Sequence, residues 1–146
     1  MQGYWKIKKI QYNKPTETST VVEYSICYSP CYENPVVYLS SYNDCGSYFD
    51  IEETLNSVGC PVESRKNLVF DQETHHLLDT NQHRCYKLHP CNTDILMRAL
   101  VHEKDNKNKT LQECVKYMIA WMSALDIGLA PPAQVASRVI HLLDQY

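Results

Sequence analysis

Val22-Glu23-Tyr24-Ser25-Ile26-Cys27-Tyr28, a break over residues 29–35, and Val36-Val37-Tyr38-Leu39-Ser40-Ser41 decide how this chain folds. In the first run Val22, Tyr24, Ile26 and Tyr28 fall on one side, with Glu23 and Ser25 on the other. That alternation is the pattern of a β-strand. Pro30, Asn34 and Pro35 make the break a turn, and 36–41 reads as a further strand. Upstream, residues 4–12 alternate as well, with Trp5, Ile7 and Lys9 on one face and Tyr4, Lys6 and Ile10 on the other. The polar connection 14–19 carries Pro15 as a breaker. Asn43-Asp44-Cys45-Gly46 reads as a turn in which Gly46 offers a positive φ. Three successive strands joined by short links predict an antiparallel meander over residues 1–41.

Beyond residue 50 the hydrophobic period lengthens from that of strands to that of helices. Residues 50–57 predict a short helix and 60–67 an irregular stretch. Residues 68–70 and 85–88 read as short strands separated by a polar loop. Residues 93–102 read as a helix with Ile95, Leu96, Ala99 and Leu100 on one side, followed by a charged, Asn-rich loop over 103–109. Thr110-Leu111-Gln112-Glu113 has the form of a capping box, in which the Thr side chain accepts from the third residue and the Glu reaches back. The helix it opens is expected to bury Leu111, Val115, Met118, Ile119, Met122 and Leu125, with Trp121 alongside and Gly128 past its end. Pro131 and Pro132 open a last helix bearing Val135, Val139, Leu142 and Leu143. Sheet first and helices second predict an α+β fold, and 146 residues fit one domain over 1–146.

Bulk properties exclude several classes. A 44% hydrophobic fraction is that of a globular chain, and a net charge of -3 lacks the basic surface of a nucleic-acid binder. No apolar run reaches membrane-spanning length, and residues 1–12 lack the apolar stretch of a signal peptide, so the expected compartment is the cytosol.

Cys27, Cys31, Cys45, Cys60, Cys85, Cys91 and Cys114 make seven, an odd number unsuited to a closed disulfide framework. Most are expected to be small core residues. Cys91 differs in position. It follows His89-Pro90 where a strand ends and a helix begins, with Asn92 or Thr93 as caps and Asp94 in the first turn. The positive end of a helix dipole favours thiolate, an effect that Asp94 opposes. A packed, inert thiol is the competing reading.

His89-Pro90-Cys91, followed by Thr93 and an apolar helix, resembles the active-site segment of the autophagy conjugating enzymes, relatives of the ubiquitin-conjugating fold. Tyr24-Ser25-Ile26-Cys27-Tyr28-Ser29-Pro30-Cys31-Tyr32-Glu33-Asn34-Pro35-Val36-Val37-Tyr38 and the Asp44-Cys45-Gly46 turn resemble autophagy-related protein ten. So does the Tyr117-x-x-x-Trp121-x-Ser123 block with its following Gly128-Leu129. The resemblance covers residues 4–136. It implies a ubiquitin-conjugating-like fold and an enzyme that accepts autophagy-related protein twelve on Cys91 from an activating enzyme. It implies transfer to a lysine of autophagy-related protein five during autophagosome formation. It implies no cofactor, since ATP is used upstream, and recruitment to the autophagosome assembly site.

Aminolysis of a thioester needs a nucleophile, an oxyanion donor and an environment that prepares the lysine. Conventional ubiquitin-conjugating enzymes place an Asn after His-Pro; here Cys91 takes that place. Candidate donors are Asn81, Asn92, Asn106, Asn108, Tyr28, Tyr48 and backbone N–H groups at the helix start. His89 is read as bonding backbone to shape the turn, with a general base as the alternative. A zinc site from His75, His76, His83, Cys85, His89 and Cys91, or from Cys27 and Cys31, is disfavoured because paired short spacings are missing. Two other functions stay open. One is a non-catalytic module holding a ubiquitin-like partner on the sheet edge. The other is a Cys-His hydrolase using His102 or His141, for which no local signature exists.

Overall fold

The computed structural model describes residues 4–73, 84–91, 95, 97, 110–131 and 133–143. Two compact units divide the chain, Met1–Asn92 and Thr93–Tyr146. The first is built on a five-stranded antiparallel sheet in the order β1-β2-β3-β5-β4, from Tyr4–Asn13 (β1), Thr18–Ser29 (β2), Asn34–Asn43 (β3), Phe70–Glu73 (β4) and Cys85–Leu88 (β5). β1, β2 and β3 form the predicted meander.

The register follows from the alternation. Tyr24 sits between Ile7 and Leu39, and Ile26 between Trp5 and Val37. Val22, Tyr24, Ile26, Val37 and Leu39 are buried, so this face carries the core of the unit. Tyr28 continues the same alternation but is exposed. Burial in this apolar setting pushes the Tyr24 phenol well up from its usual range.

The turn expected over 29–35 is shorter. Ser29 pairs with Asn34 and Tyr28 with Pro35, so only Pro30, Cys31, Tyr32 and Glu33 form the loop. Pro35 is tolerated because it lies at the start of its strand. The Tyr32 N–H donates to the Ser29 carbonyl at 3.3 Å, and Glu33 takes a positive φ of 52° to re-enter the sheet. At the far end of β3, the Asn43 side chain accepts from the N–H groups of Cys45 and Ser47, and Gly46 takes φ 78°. Asp44 accepts from both the N–H and the hydroxyl of Ser19, and these two bonds hold its carboxyl below the usual carboxylate range.

Ile51–Ser57 (α1) lies over β2 and β3. Asp50 caps it in a reciprocal pair with Glu53, an N-terminal box the sequence reading did not single out. Gly59, at φ 71°, ends it: Gly59 N–H reaches Asn56 O and Cys60 N–H reaches Leu55 O, a Schellman motif. One buried hydroxyl pair, Ser41 with Thr54 at 2.7 Å, joins α1 to β3. The stretch expected to be irregular holds a one-turn helix, Val62–Arg65 (α2). Arg65 anchors it by donating to the Cys60 carbonyl at 2.9 Å, Asn56 Oδ1 at 2.7 Å and Glu52 Oε2 at 2.9 Å. The strand expected at 68–70 begins instead at Phe70, where pairing with Leu88 starts.

The second unit contains Leu111–Ala124 (α3) and Ala133–Leu143 (α4). Ile95 and Met97 are also helical; the rest of the predicted 93–102 helix and the 103–109 loop lie outside the described residues. The Thr110 box forms as predicted: Glu113 N–H donates to Thr110 Oγ1 at 3.3 Å, and Thr110 N–H to Glu113 Oε2 at 2.7 Å. Burial along α3 is shifted toward its C-terminal end. Leu111 is 74% exposed and Val115, Met118, Ile119 and Met122 are half-buried rather than buried, whereas Trp121 and Leu125 are buried, as are Ile127 and Leu129 beyond the helix. No helix among the described residues is long and apolar enough to cross a membrane.

Candidate active site

β5 is the strand that carries the His-Pro-Cys triplet, and it is held on both sides. Tyr38 and Leu39 of β3 pair with Lys87 and Tyr86, while β4 pairs along the whole of β5. Tyr86 and Leu88 are buried, which fixes the strand laterally. The ladder extends one step further: the His89 N–H donates to the Val69 carbonyl at 2.7 Å. His89 is thus the last position under control of the sheet.

Helical backbone begins at Pro90 and includes Cys91, earlier than the caps expected at Asn92 or Thr93. Pro90 suits the first helical position because its missing donor would be unpaired there. His89 takes the capping role. Its Nδ1 accepts the Cys91 N–H at 3.3 Å, as a cap side chain accepts from the second helical residue. The same Nδ1 lies 2.7 Å from Sγ of Cys91. In the tautomer with its proton on Nε2, the one Nδ1 lone pair is shared between the Cys91 N–H and the thiol. His89 thus contacts both the backbone N–H and the sulfur of Cys91.

Tyr32, at the β2–β3 turn, packs edge-on against the His89 ring, with centroids 5.8 Å apart and planes at 68°. Edge-to-face rings attract at this spacing, so the hairpin tip braces the imidazole. Sequence reading named Tyr28 and Tyr48 and passed over Tyr32. The signal was the placement of the turn: once Ser29 pairs with Asn34, Tyr32 must stand at the tip.

The other predicted site residues divide by position. Tyr28 is exposed and pairs with Pro35, toward the same hairpin end as Tyr32. Tyr48 bridges to Tyr42 and sets its ring tilted against it, with centroids 5.4 Å apart and planes at 51°. Tyr42 lies beyond Tyr38 in the direction away from His89. Along the strands that separation is roughly 20 Å at ~3.3 Å per residue. The fold therefore places Tyr48 away from Cys91, and burial with nearby Glu23 raises its phenol's pKa. Asn81, Asn92, Asn106 and Asn108 lie outside the described residues, as do His75, His76, His83 and His102.

The cysteines are less buried than expected. Only Cys60 and Cys85 are core residues; Cys27 is half-buried, and Cys31, Cys45, Cys91 and Cys114 are exposed. Exposure alone does not mark Cys91. What sets it apart is the imidazole nitrogen of His89, 2.7 Å from its sulfur. Among the described residues, no three His, Cys, Asp or Glu side chains gather as a metal site.

Comparison with known proteins bears on this geometry. The family model for the autophagocytosis associated protein, active-site domain, matches residues 6–130. The ubiquitin-like-conjugating enzyme ATG10 of Dictyostelium discoideum is 30% identical over 113 residues, which covers 72% of this chain and 48% of that protein. The chain thus spans about half the length of the curated relative it matches. The antiparallel sheet with its helices is the α+β, ubiquitin-conjugating-like architecture that the resemblance implied. The matched span takes in the strand-turn-strand block, the His89-Pro90-Cys91 triplet and the Trp121 block together, and the chain belongs to the autophagocytosis-associated active-site family, in the group of autophagy-related protein ten.

Proposed function

We propose that the chain is a ubiquitin-like-protein transferase that carries its cargo as a thioester on Cys91. The contact of His89 Nδ1 with Cys91 Sγ, on a segment fixed by two strand ladders, is the observation that carries the reading. In the loading step the sulfur of Cys91 attacks the modifier's terminal carbonyl, held as a thioester on an activating enzyme. His89 Nδ1 takes the thiol proton, a new C–S bond forms, and the activating enzyme's thiolate leaves. In the transfer step a lysine amine attacks the same carbonyl. The C–N bond forms, the C–S bond breaks, and the proton lost by the amine passes through His89, which has returned its earlier proton to solvent, to the sulfur of Cys91. The cargo is autophagy-related protein twelve and the acceptor a lysine of autophagy-related protein five. No cofactor is needed, and ATP is spent by the activating enzyme. The setting is the cytosol at the site of autophagosome assembly.

The triplet lacks the usual Asn, and the capping bond suggests a substitute. At rest the Cys91 N–H is engaged by Nδ1. Once Nδ1 holds the thiol proton it no longer accepts, and the N–H is released beside the carbon bonded to Sγ. A donor freed as the oxyanion forms is what the tetrahedral intermediate needs.

The specific partners are tested by a single-turnover discharge. Charged protein, freed of ATP, is mixed with autophagy-related protein five. An isopeptide-linked product that forms with this acceptor, and not with free lysine at equal concentration, supports the assignment. Equal discharge to both removes it.

A further inference from the structure

The edge formed by β1 is long, apolar and positively charged, and the reading of Cys91 does not use it. β1 ends the sheet order and pairs only with β2 among the described residues. Every second residue of such a strand turns an N–H and a C=O outward, a template for a further strand. Trp5 is 63% exposed, Ile10 68% and Tyr12 62%. Lys6, Lys8 and Lys9 are its charges; it has no Asp or Glu, in a chain of net charge -3. Among the described residues Glu23 pairs with two of them, at 3.0 Å from Lys6 and 3.9 Å from Lys8. The strand keeps a positive excess.

We propose that the β1 edge docks an extended segment of a partner protein in which acidic and apolar residues alternate, added to the sheet as a sixth strand. The two parities of β1 set that chemistry. Over residues 5–8 Lys6 and Lys8 lie on one face and Trp5 and Ile7 on the other, so a strand added there meets ammonium groups at one parity and apolar groups at the other; Lys9 continues the face of Trp5 and Ile7, and Tyr4, Ile10 and Tyr12 flank the two lysines on theirs. A second copy of this chain is disfavoured at and near full antiparallel overlap. Full antiparallel overlap puts Lys8 opposite the other copy's Lys9. A slip of one residue either way puts Lys8 opposite Lys8 or Lys9 opposite Lys9. Like charges directly opposite are destabilising. Main-chain bonds supply affinity in such docking, and the alternation supplies selectivity.

The test uses the full chain with two synthetic peptides, acetyl-(Glu-Val)4-amide and acetyl-(Lys-Val)4-amide, in low salt, read by binding and by amide hydrogen exchange. The proposal expects the Glu peptide to bind and to slow exchange at alternate amides of residues 4–13. It expects Lys6→Glu with Lys8→Glu to weaken that binding about tenfold and to favour the Lys peptide, a gain only a folded variant can show. Cys91→Ala must bind the Glu peptide like the parent, which separates this proposal from the thioester reading. Absence of binding, binding indifferent to the charge reversal, or protection of β1 by self-association without peptide overturns it.

Discussion

Nδ1 of His89 stands 2.7 Å from Sγ of Cys91 and also accepts the Cys91 N–H at 3.3 Å. One nitrogen thus begins the helix and faces the Cys91 sulfur. The two roles separate by substitution. Asn is a good helix cap but takes no proton. His89→Asn is expected to keep the fold and to slow thioester formation roughly a hundredfold, the lower range for loss of a general base. Near-parental charging of His89→Asn, measured by single-turnover kinetics, would leave His89 as a shaping residue only.

The Tyr32 ring braces that imidazole at 5.8 Å. Tyr32→Phe keeps the edge-on contact and is expected to charge at close to the parental rate. Tyr32→Ala loses an aromatic pair worth about 0.5–1.5 kcal/mol, so charging falls by a factor of about 2–10. The drop should vanish in a His89→Asn background, since Tyr32 acts through the ring. An equal drop in both backgrounds would assign Tyr32 a separate role.

Ser41 and Thr54 bury their hydroxyls against each other at 2.7 Å. Ser41→Ala leaves the Thr54 hydroxyl buried without that partner and is expected to destabilise by about 1–3 kcal/mol. Ser41→Ala with Thr54→Val removes both polar groups and is expected to recover most of the loss, because two apolar groups of similar shape need no partner. Urea denaturation of the four proteins closes the cycle, and additive losses would contradict the account.

Asp44 accepts two bonds from Ser19, which hold its carboxyl below the usual carboxylate range in the fold. A depressed folded value means the contribution is full above the unfolded carboxylate value, near 3.9, and is lost as pH falls through the folded value. Asp44→Asn should therefore lower stability at neutral pH and flatten the acid side of the stability curve. Melting temperatures between pH 7 and pH 2 check this, and parallel curves for the two proteins would contradict it.

The sheet was legible because period-two alternation and Pro-marked turns are local signals. Val22, Tyr24 and Ile26 declared their face, and the Thr110-to-Glu113 box declared its helix. What was not legible depends on pairing. The trimmed turn, and with it Tyr32 against His89, required the register of Ser29 on Asn34. The insertion of β5 between β3 and β4 is a topological fact with no local mark. Cys91 was legible from its strand-to-helix junction and from the resemblance. The double use of Nδ1 was not, because His is an uncommon cap and the contact needs both ends of the triplet placed.

The most direct measurement is the formation of a covalent adduct on incubation with activating enzyme, ATP and the ubiquitin-like modifier, followed on gels with and without thiol reductant. The account predicts an adduct that reductant removes in the parent protein, no adduct in Cys91→Ala, and a reductant-stable ester in Cys91→Ser. An adduct that persists in Cys91→Ala, or that maps to any of the other six cysteines, would contradict it.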